Sequence, residues 1–143
     1  MNEYETDRQF IDLKPHIDEQ QVQQILSLSL YNPTPETIAR AVERCRGDNE
    51  RQLWGVTDGV HIIGVVEYYI REHDAICITN IAVAEEEQKR GSGSFMIAEL
   101  REKFKLPVEL ETDDDVIGFY RKCGFKTEPF EKYGVRRWKC TLI

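Results

Sequence analysis

Two glycines one residue apart, Gly91 and Gly93, lie between a basic pair, Lys89 and Arg90, and an amphipathic run ending at Phe104. Upstream is the largely β-branched run Ile76-Cys77-Ile78-Thr79-Asn80-Ile81-Ala82-Val83. This order puts Gly91-Ser92-Gly93-Ser94 where a loop after a strand becomes a helix. The first N–H groups of a helix lack partners within it and sit at the positive end of its dipole. Glycine admits backbone angles that other residues avoid and lets a ligand approach the main chain closely. The corner therefore suits a phosphate or pyrophosphate, with Lys89 and Arg90 adding positive charge. The same two glycines would also serve a plain surface turn.

Spacing discriminates among phosphate-binding loops. A P-loop requires GxxxxGK[ST], whereas serine follows each of these glycines and no lysine does. A dinucleotide fingerprint requires GxGxxG directly after the strand. Here Met96 occupies the place of the third glycine, and residues Ala84 to Arg90 intervene. Gln88-Lys89-Arg90-Gly91-Ser92-Gly93 instead resembles the Gln/Arg-x-x-Gly-x-Gly/Ala loop with which GNAT N-acetyltransferases hold the pyrophosphate of acetyl-CoA. Ile81-Ala82-Val83 resembles the end of that family's fourth strand. Phe119-Tyr120-Arg121-Lys122-Cys123-Gly124-Phe125 resembles its second recurrent segment, a helix with a Tyr-x-x-x-Gly-Phe ending. The order of elements fits the family along essentially the whole chain.

The resemblance implies an acetyl-CoA-dependent N-acetyltransferase that acetylates a primary amine of a small molecule, peptide or protein. It places the cofactor on Ile81, Ala82, Val83, Gln88, Lys89, Arg90, Gly91, Ser92, Gly93 and Ser94. A backbone N–H of the strand ending at Val83 would stabilise the carbonyl oxygen as it gains charge. Tyr120 matches the family's frequent general acid, a phenol able to protonate the departing thiolate. The alternative for Tyr120 is a packing role one turn from Val116 and Cys123. Asp113 stands where the family often has an asparagine on the pantetheine arm; it keeps the acceptor, loses the amide donor, and would also serve as a helix cap. Some members carry a glutamate on the long strand, where this chain has Cys77, Thr79 and Asn80. Glu67 on the neighbouring strand is the best remaining base, acting through a water, ahead of Glu72, His73 and Glu111. Cys77 has no identifiable histidine partner, so direct attack by the amine in a ternary complex is preferred to an acetyl-cysteine. The alternative function is a non-catalytic, GNAT-like sensor that binds CoA or another ligand.

Length and composition bound these readings. A chain of 143 residues, 41% hydrophobic and 31% charged, has the size and balance of one soluble globular domain spanning 1–143. No apolar run approaches the ~20 residues of a membrane span. Met1-Asn2-Glu3-Tyr4-Glu5 lacks the basic start and apolar core of a signal peptide. Cytoplasmic location is expected. Cys45, Cys77, Cys123 and Cys140 form no CxxC pair and no metal-ligand spacing, so free thiols and no metal are expected. The net charge of −7 disfavours nucleic acid and weakly favours cationic partners such as amines. No membrane partner is indicated, and a homodimer is left open.

The elements that must position these residues follow from periodicity. Gln9 to Leu13 reads as a strand. Asp18 with Gln21 has capping-box spacing ahead of Val22, Ile25, Leu26 and Ser29. Thr34 caps a second helix with Pro35 at its first position and a stripe of Ile38, Ala41, Val42 and Cys45. Gln52–Val56 and Val60–Ile70 flank Asp58-Gly59, a hairpin signal. Ala75–Val83 is the long strand, and the third helix carries Phe95, Ile97, Leu100 and Phe104. Pro107–Glu111 then pairs parallel to the long strand. Asp113-Asp114-Asp115 opens a fourth helix closed by Gly124, and two strands joined through Tyr133-Gly134 end the chain. The expected class is α/β (α+β): a mixed, mostly antiparallel central sheet of about seven strands with four helices on its faces, the GNAT-like acyl-CoA N-acyltransferase fold.

Overall fold

A computed structural model describes residues 8–143, so the N-terminal segment considered for a signal peptide lies outside the described residues. The strands are β1 (Gln9–Asp12), β2 (Gln52–Thr57), β3 (Ile62–Arg71), β4 (Ala75–Val83), β5 (Val108–Thr112), β6 (Lys126–Lys132) and β7 (Val135–Leu142). They form one seven-stranded sheet in the order β1-β2-β3-β4-β5-β7-β6. Among these strands only β4 and β5 run parallel; every other neighbouring pair is antiparallel. The helices are α1 (Gln20–Ser27), α2 (Pro35–Gly47), α3 (Ser92–Phe104) and α4 (Ile117–Lys122). The mixed sheet and four helices are those expected from the sequence.

Strand alternation divides the core between the two faces. Val65 of β3 packs with Leu53 and with Val22, Ile25, Leu26, Val42 and Cys45 of α1 and α2. Its neighbour Val66 turns the other way, joining Tyr68, Ile76 and Met96, Ile97 and Leu100 of α3. The α3 stripe read from sequence centres on Ile97 and Leu100, but Met96 is fully buried while Phe95 and Phe104 are only partly so. Gly64 leaves room for Met96: a Cβ there would lie 3.0 Å from the Met96 Cε.

Capping and turn chemistry set the boundaries. Thr34 accepts the Thr37 N–H at 3.1 Å while Thr37 Oγ1 accepts the Thr34 N–H at 2.7 Å, a reciprocal cap for α2. Asp18 does not cap α1; Glu19 is the N-cap, without a side-chain bond, and Asp18 pairs with Arg46 of α2. The helix also stops before Ser29, whose hydroxyl donates to Leu26 O and to Asn80 Oδ1 of β4. The turn at Asp58-Gly59 lies between Thr57 and Ile62, later than the Val56 and Val60 bounds read from sequence. Asp58 Oδ1 accepts the N–H groups of Val60 and His61 at 2.8 and 2.7 Å, withholding them from the ladder, so β3 begins at Ile62. Likewise Asp113 Oδ1 accepts the N–H groups of Asp115 and Val116, and α4 starts only at Ile117.

Candidate active site

The sheet opens at its centre. Parallel pairing of β4 with β5 is confined to Ile76↔Val108 and Cys77↔Glu109. Beyond it β5 stays with β7 through Thr112, while β4 stays with β3 through Val83. The divergence begins at a β-bulge: Glu67 faces Asn80 and Tyr68 faces Ile78, leaving Thr79 as the extra residue. A bulge bends its strand and increases the local twist. Since the Ala84 N–H donates to Ile63 of the β3 side, alternation turns the N–H groups of Ile81 and Val83 toward the opening.

The bulge is held by a buried carboxylate. Glu67 is 1% exposed. Its Oε1 accepts from Thr79 Oγ1 at 2.5 Å, Asn80 Nδ2 at 2.7 Å and Arg51 Nη1 at 3.3 Å. The Cys45 thiol lies against the same carboxylate and is pushed up to about 12, first by burial and then by the Glu67 charge. Three donors on one oxygen suit Glu67 to the part of a tie between the strands. The lesser base candidates Glu72 and His73 form the exposed β3–β4 turn, and Glu111 pairs with Lys132 at 3.6 Å.

On one side of the opening lies a cleft of about 380 Å³. Ile81, Ala82 and Val83 form its β4 wall, and Gln88, Lys89, Gly91, Ser92 and Gly93 its rim. Tyr120 and Phe119 of α4 close it together with Val116 just before that helix, with Leu28 beyond the end of α1. Arg90, Ser94, Glu67 and Asp113 are not among these lining residues; Asp113 caps the turn before α4. The loop is fixed by its backbone. Gln88 Nε2 donates to Val83 O at 3.1 Å, folding the loop back on the strand end. Lys89 and Gly91 take φ values of 67° and 83°. Gly91 is the N-cap of α3 and no side chain caps the helix, so the N–H groups of its first turn remain available to an anion. Gly93 faces Phe119 so closely that a Cβ would lie 3.0 Å from the ring.

Tyr120 is 5% exposed and sits between the rings of Phe119 and Phe125, at centroid distances of 5.0 and 5.4 Å. Burial raises its pKa, with Cys140, Cys123 and Asp113 acting in the same direction, so the phenol keeps its proton at neutral pH. Arg8 has no sequence signal: its guanidinium donates to Arg90 O and stacks 5.6 Å from the Phe95 ring beside Gly91. Phe119 adjoins Tyr120 in the chain, but only the fold shows that it faces Gly93.

A second cleft, of about 540 Å³, continues along β4 from Cys77 to Asn80. Cys77 shares a hydrogen bond with Tyr69, and burial pushes its thiol up, away from a nucleophilic thiolate.

The Acetyltransferase (GNAT) family model matches residues 19–125. No curated protein sequence matches the chain. A protein from Desulfovibrio desulfuricans described as a GNAT-family acetyltransferase is similar at TM-score 0.76 and 20% identity, over 94% of this chain and 98% of that one. A GNAT family acetyltransferase from Elizabethkingia anophelis with acetyl-CoA bound is similar at TM-score 0.67 and 19% identity, over 95% and 97%. An aminoglycoside 6'-N-acetyltransferase complexed with coenzyme A reaches TM-score 0.76 at 13% identity, over 94% and 96%. Likeness at these identities establishes the fold.

Proposed function

The chain belongs to the GNAT acetyltransferase family, and from that premise we propose that it is an acetyl-CoA-dependent N-acetyltransferase acting on a primary amine of a small molecule or peptide. One observation carries this reading: the uncapped Gly91 corner and Tyr120, from distant parts of the sequence, line a single cleft beside the end of β4. Acetyl-CoA, when bound, supplies an activated acyl group. The chain's own residues do the rest. First-turn N–H groups of α3 and the nearby Lys89, Arg90 and Arg8 bind the pyrophosphate. N–H groups of Ile81 and Val83 orient and polarise the acyl carbonyl. Tyr120 holds a proton for the departing sulfur. The amine attacks directly and loses its proton to solvent in the open second cleft, while Glu67 acts as a positioning residue that maintains the bulge. Four free cysteines accord with a cytoplasmic setting.

Release of free CoA from acetyl-CoA, followed with a thiol reagent across a panel of amines, tests the reading. The expected result is amine-dependent release together with a melting temperature raised by acetyl-CoA and not by NAD. A raised melting temperature without turnover on any amine would instead identify a CoA-binding sensor.

A further inference from the structure

The second cleft is opposite in sign to the molecule that contains it. The chain carries a net charge of −7, yet Arg44, Arg51, Arg71, Arg137 and Lys139 line this cleft against only Glu109 and Glu111. Both carboxylates are already engaged: Glu109 with Arg71 at 2.5 Å and Lys139 at 3.6 Å, Glu111 with Lys132 at 3.6 Å. Arg51 is taken by Glu67 and by Asp48 at 3.4 Å. Arg44 on α2 and the half-buried Arg137 on β7 have no ion-pair partner among the described residues. They come from different elements and line one recess. A cleft lined by one sign of charge focuses its field on an entering ligand, and the planar guanidinium fork matches carboxylate and phosphate oxygens.

Position adds chemistry to charge. Residues Cys77 to Asn80 form the floor of this cleft, and the next residues, Ile81 to Val83, form the wall of the cleft assigned to acetyl-CoA. A molecule seated here would present its amine at the opening between β4 and β5 and its remaining groups to the arginines. We propose that the acceptor is an amine that also carries an anionic group, carboxylate or phosphate, held by Arg44 and Arg137. This rests on the N-acetyltransferase reading for turnover, but not for binding. The expectation from net charge alone, a cationic partner, is reversed locally because the acidic residues lie elsewhere on the surface.

Calorimetric titration at low salt, with CoA present, compares matched amines: O-phosphoethanolamine with ethanolamine, L-glutamate with its diamide, and spermidine. The anionic member of at least one pair should bind roughly tenfold or more tightly than its neutral partner, and spermidine weakest. The responding pair distinguishes phosphate from carboxylate. Arg137→Gln and Arg44→Gln should each remove most of that preference and leave CoA affinity and the melting temperature unchanged. Lys126→Gln, the same charge change outside the cleft, should leave the preference intact. Equal binding of neutral and anionic partners, tighter binding of spermidine, or a preference untouched by both arginine variants would overturn the proposal. Anionic-amine binding that depends on the arginines but yields no CoA release would preserve it and remove the acetyltransferase reading.

Discussion

Thr79 of β4 donates its hydroxyl to Glu67 Oε1 of β3 at 2.5 Å, across the one place where the two strands fall out of register. Asn80 donates to the same oxygen, so two consecutive residues of β4 are tied to one carboxylate. This contact fixes where β4 leaves β5, and hence where both clefts begin. Ser29 extends it to the end of α1 through Asn80 Oδ1, and Arg51 extends it toward α2. A polar cluster at the centre of the sheet thus sets the geometry from which a reaction would proceed.

Glu67→Ala should be destabilising. It takes the shared acceptor from Thr79, Asn80 and Arg51, which are half-buried and line the open second cleft, so the cost should fall below the about 3–5 kcal/mol of breaking a fully buried charged pair. Glu67→Gln keeps an acceptor oxygen and should lose less. Urea unfolding reads the stability, and turnover the chemistry. If Glu67 is a tie, the Gln variant keeps turnover within about tenfold; a fall toward the ~10²–10⁴-fold range of general base catalysis at intact stability would restore it as the base.

Tyr120→Phe removes only a hydroxyl from a ring that keeps its packing between Phe119 and Phe125. kcat should fall about 10–10²-fold, toward the low end for general acid catalysis because a thiolate leaves readily, with the KM for acetyl-CoA unchanged. Wild-type turnover in this variant would mean that water protonates the sulfur and Tyr120 is packing alone.

The loop and Tyr120 were legible in the sequence because each is a contiguous signal: glycines at fixed spacing after a β-branched run, and a tyrosine inside a helix-ending motif. The helix stripes were legible for the same reason. Residues brought together from distant segments were not. Arg8, directly before the edge strand β1, meets Arg90 and Gly91 only through the fold. The basic cleft joins Arg44 of α2, Arg71 at the end of β3 and Arg137 of β7, and it exists because β7 inserts between β5 and β6. Glu67 was visible as a carboxylate near the site, but the bulge that engages it depends on a register no local pattern encodes. Boundaries shifted where aspartates at 58 and 113 took backbone N–H groups for themselves.

Alkaline pH should destabilise the protein from about the ordinary thiol range upward. Cys45 is raised from 9.0 to about 12 by burial and by Glu67, so the unfolded chain releases this proton first. The stabilisation is complete below pH 9, declines as pH rises, and is lost by about pH 12, with a slope approaching ~1.4 kcal/mol per pH unit from this group. Cys77, Cys123 and Cys140 are shifted the same way. Chemical denaturation at intervals from pH 8 to 11 measures the slope, and Cys45→Ala should make it shallower. An unchanged slope would show that the Cys45 thiol is not held away from ionisation.

The corner at Gly91 and Gly93 admits the sharpest test of the cofactor site. Gly91 holds φ at 83°, a region that β-branched residues avoid, and a Cβ on Gly93 would stand only 3.0 Å from the Phe119 ring. Valine at both should misdirect the first-turn N–H groups of α3 and push Phe119 into the cleft. Each charge-assisted contact to phosphate lost in this way is worth roughly 1.5–3 kcal/mol. Calorimetric titration should therefore show acetyl-CoA affinity falling by two orders of magnitude or more, on the order of 3 kcal/mol for two contacts. Arg90→Ala should cost less, because an exposed cation is screened by water and salt. The sheet should survive, since neither glycine contributes to a strand, and far-UV circular dichroism checks that it does. A folded double variant that binds acetyl-CoA as tightly as the wild type would place the pyrophosphate elsewhere and withdraw the main support for the cofactor assignment.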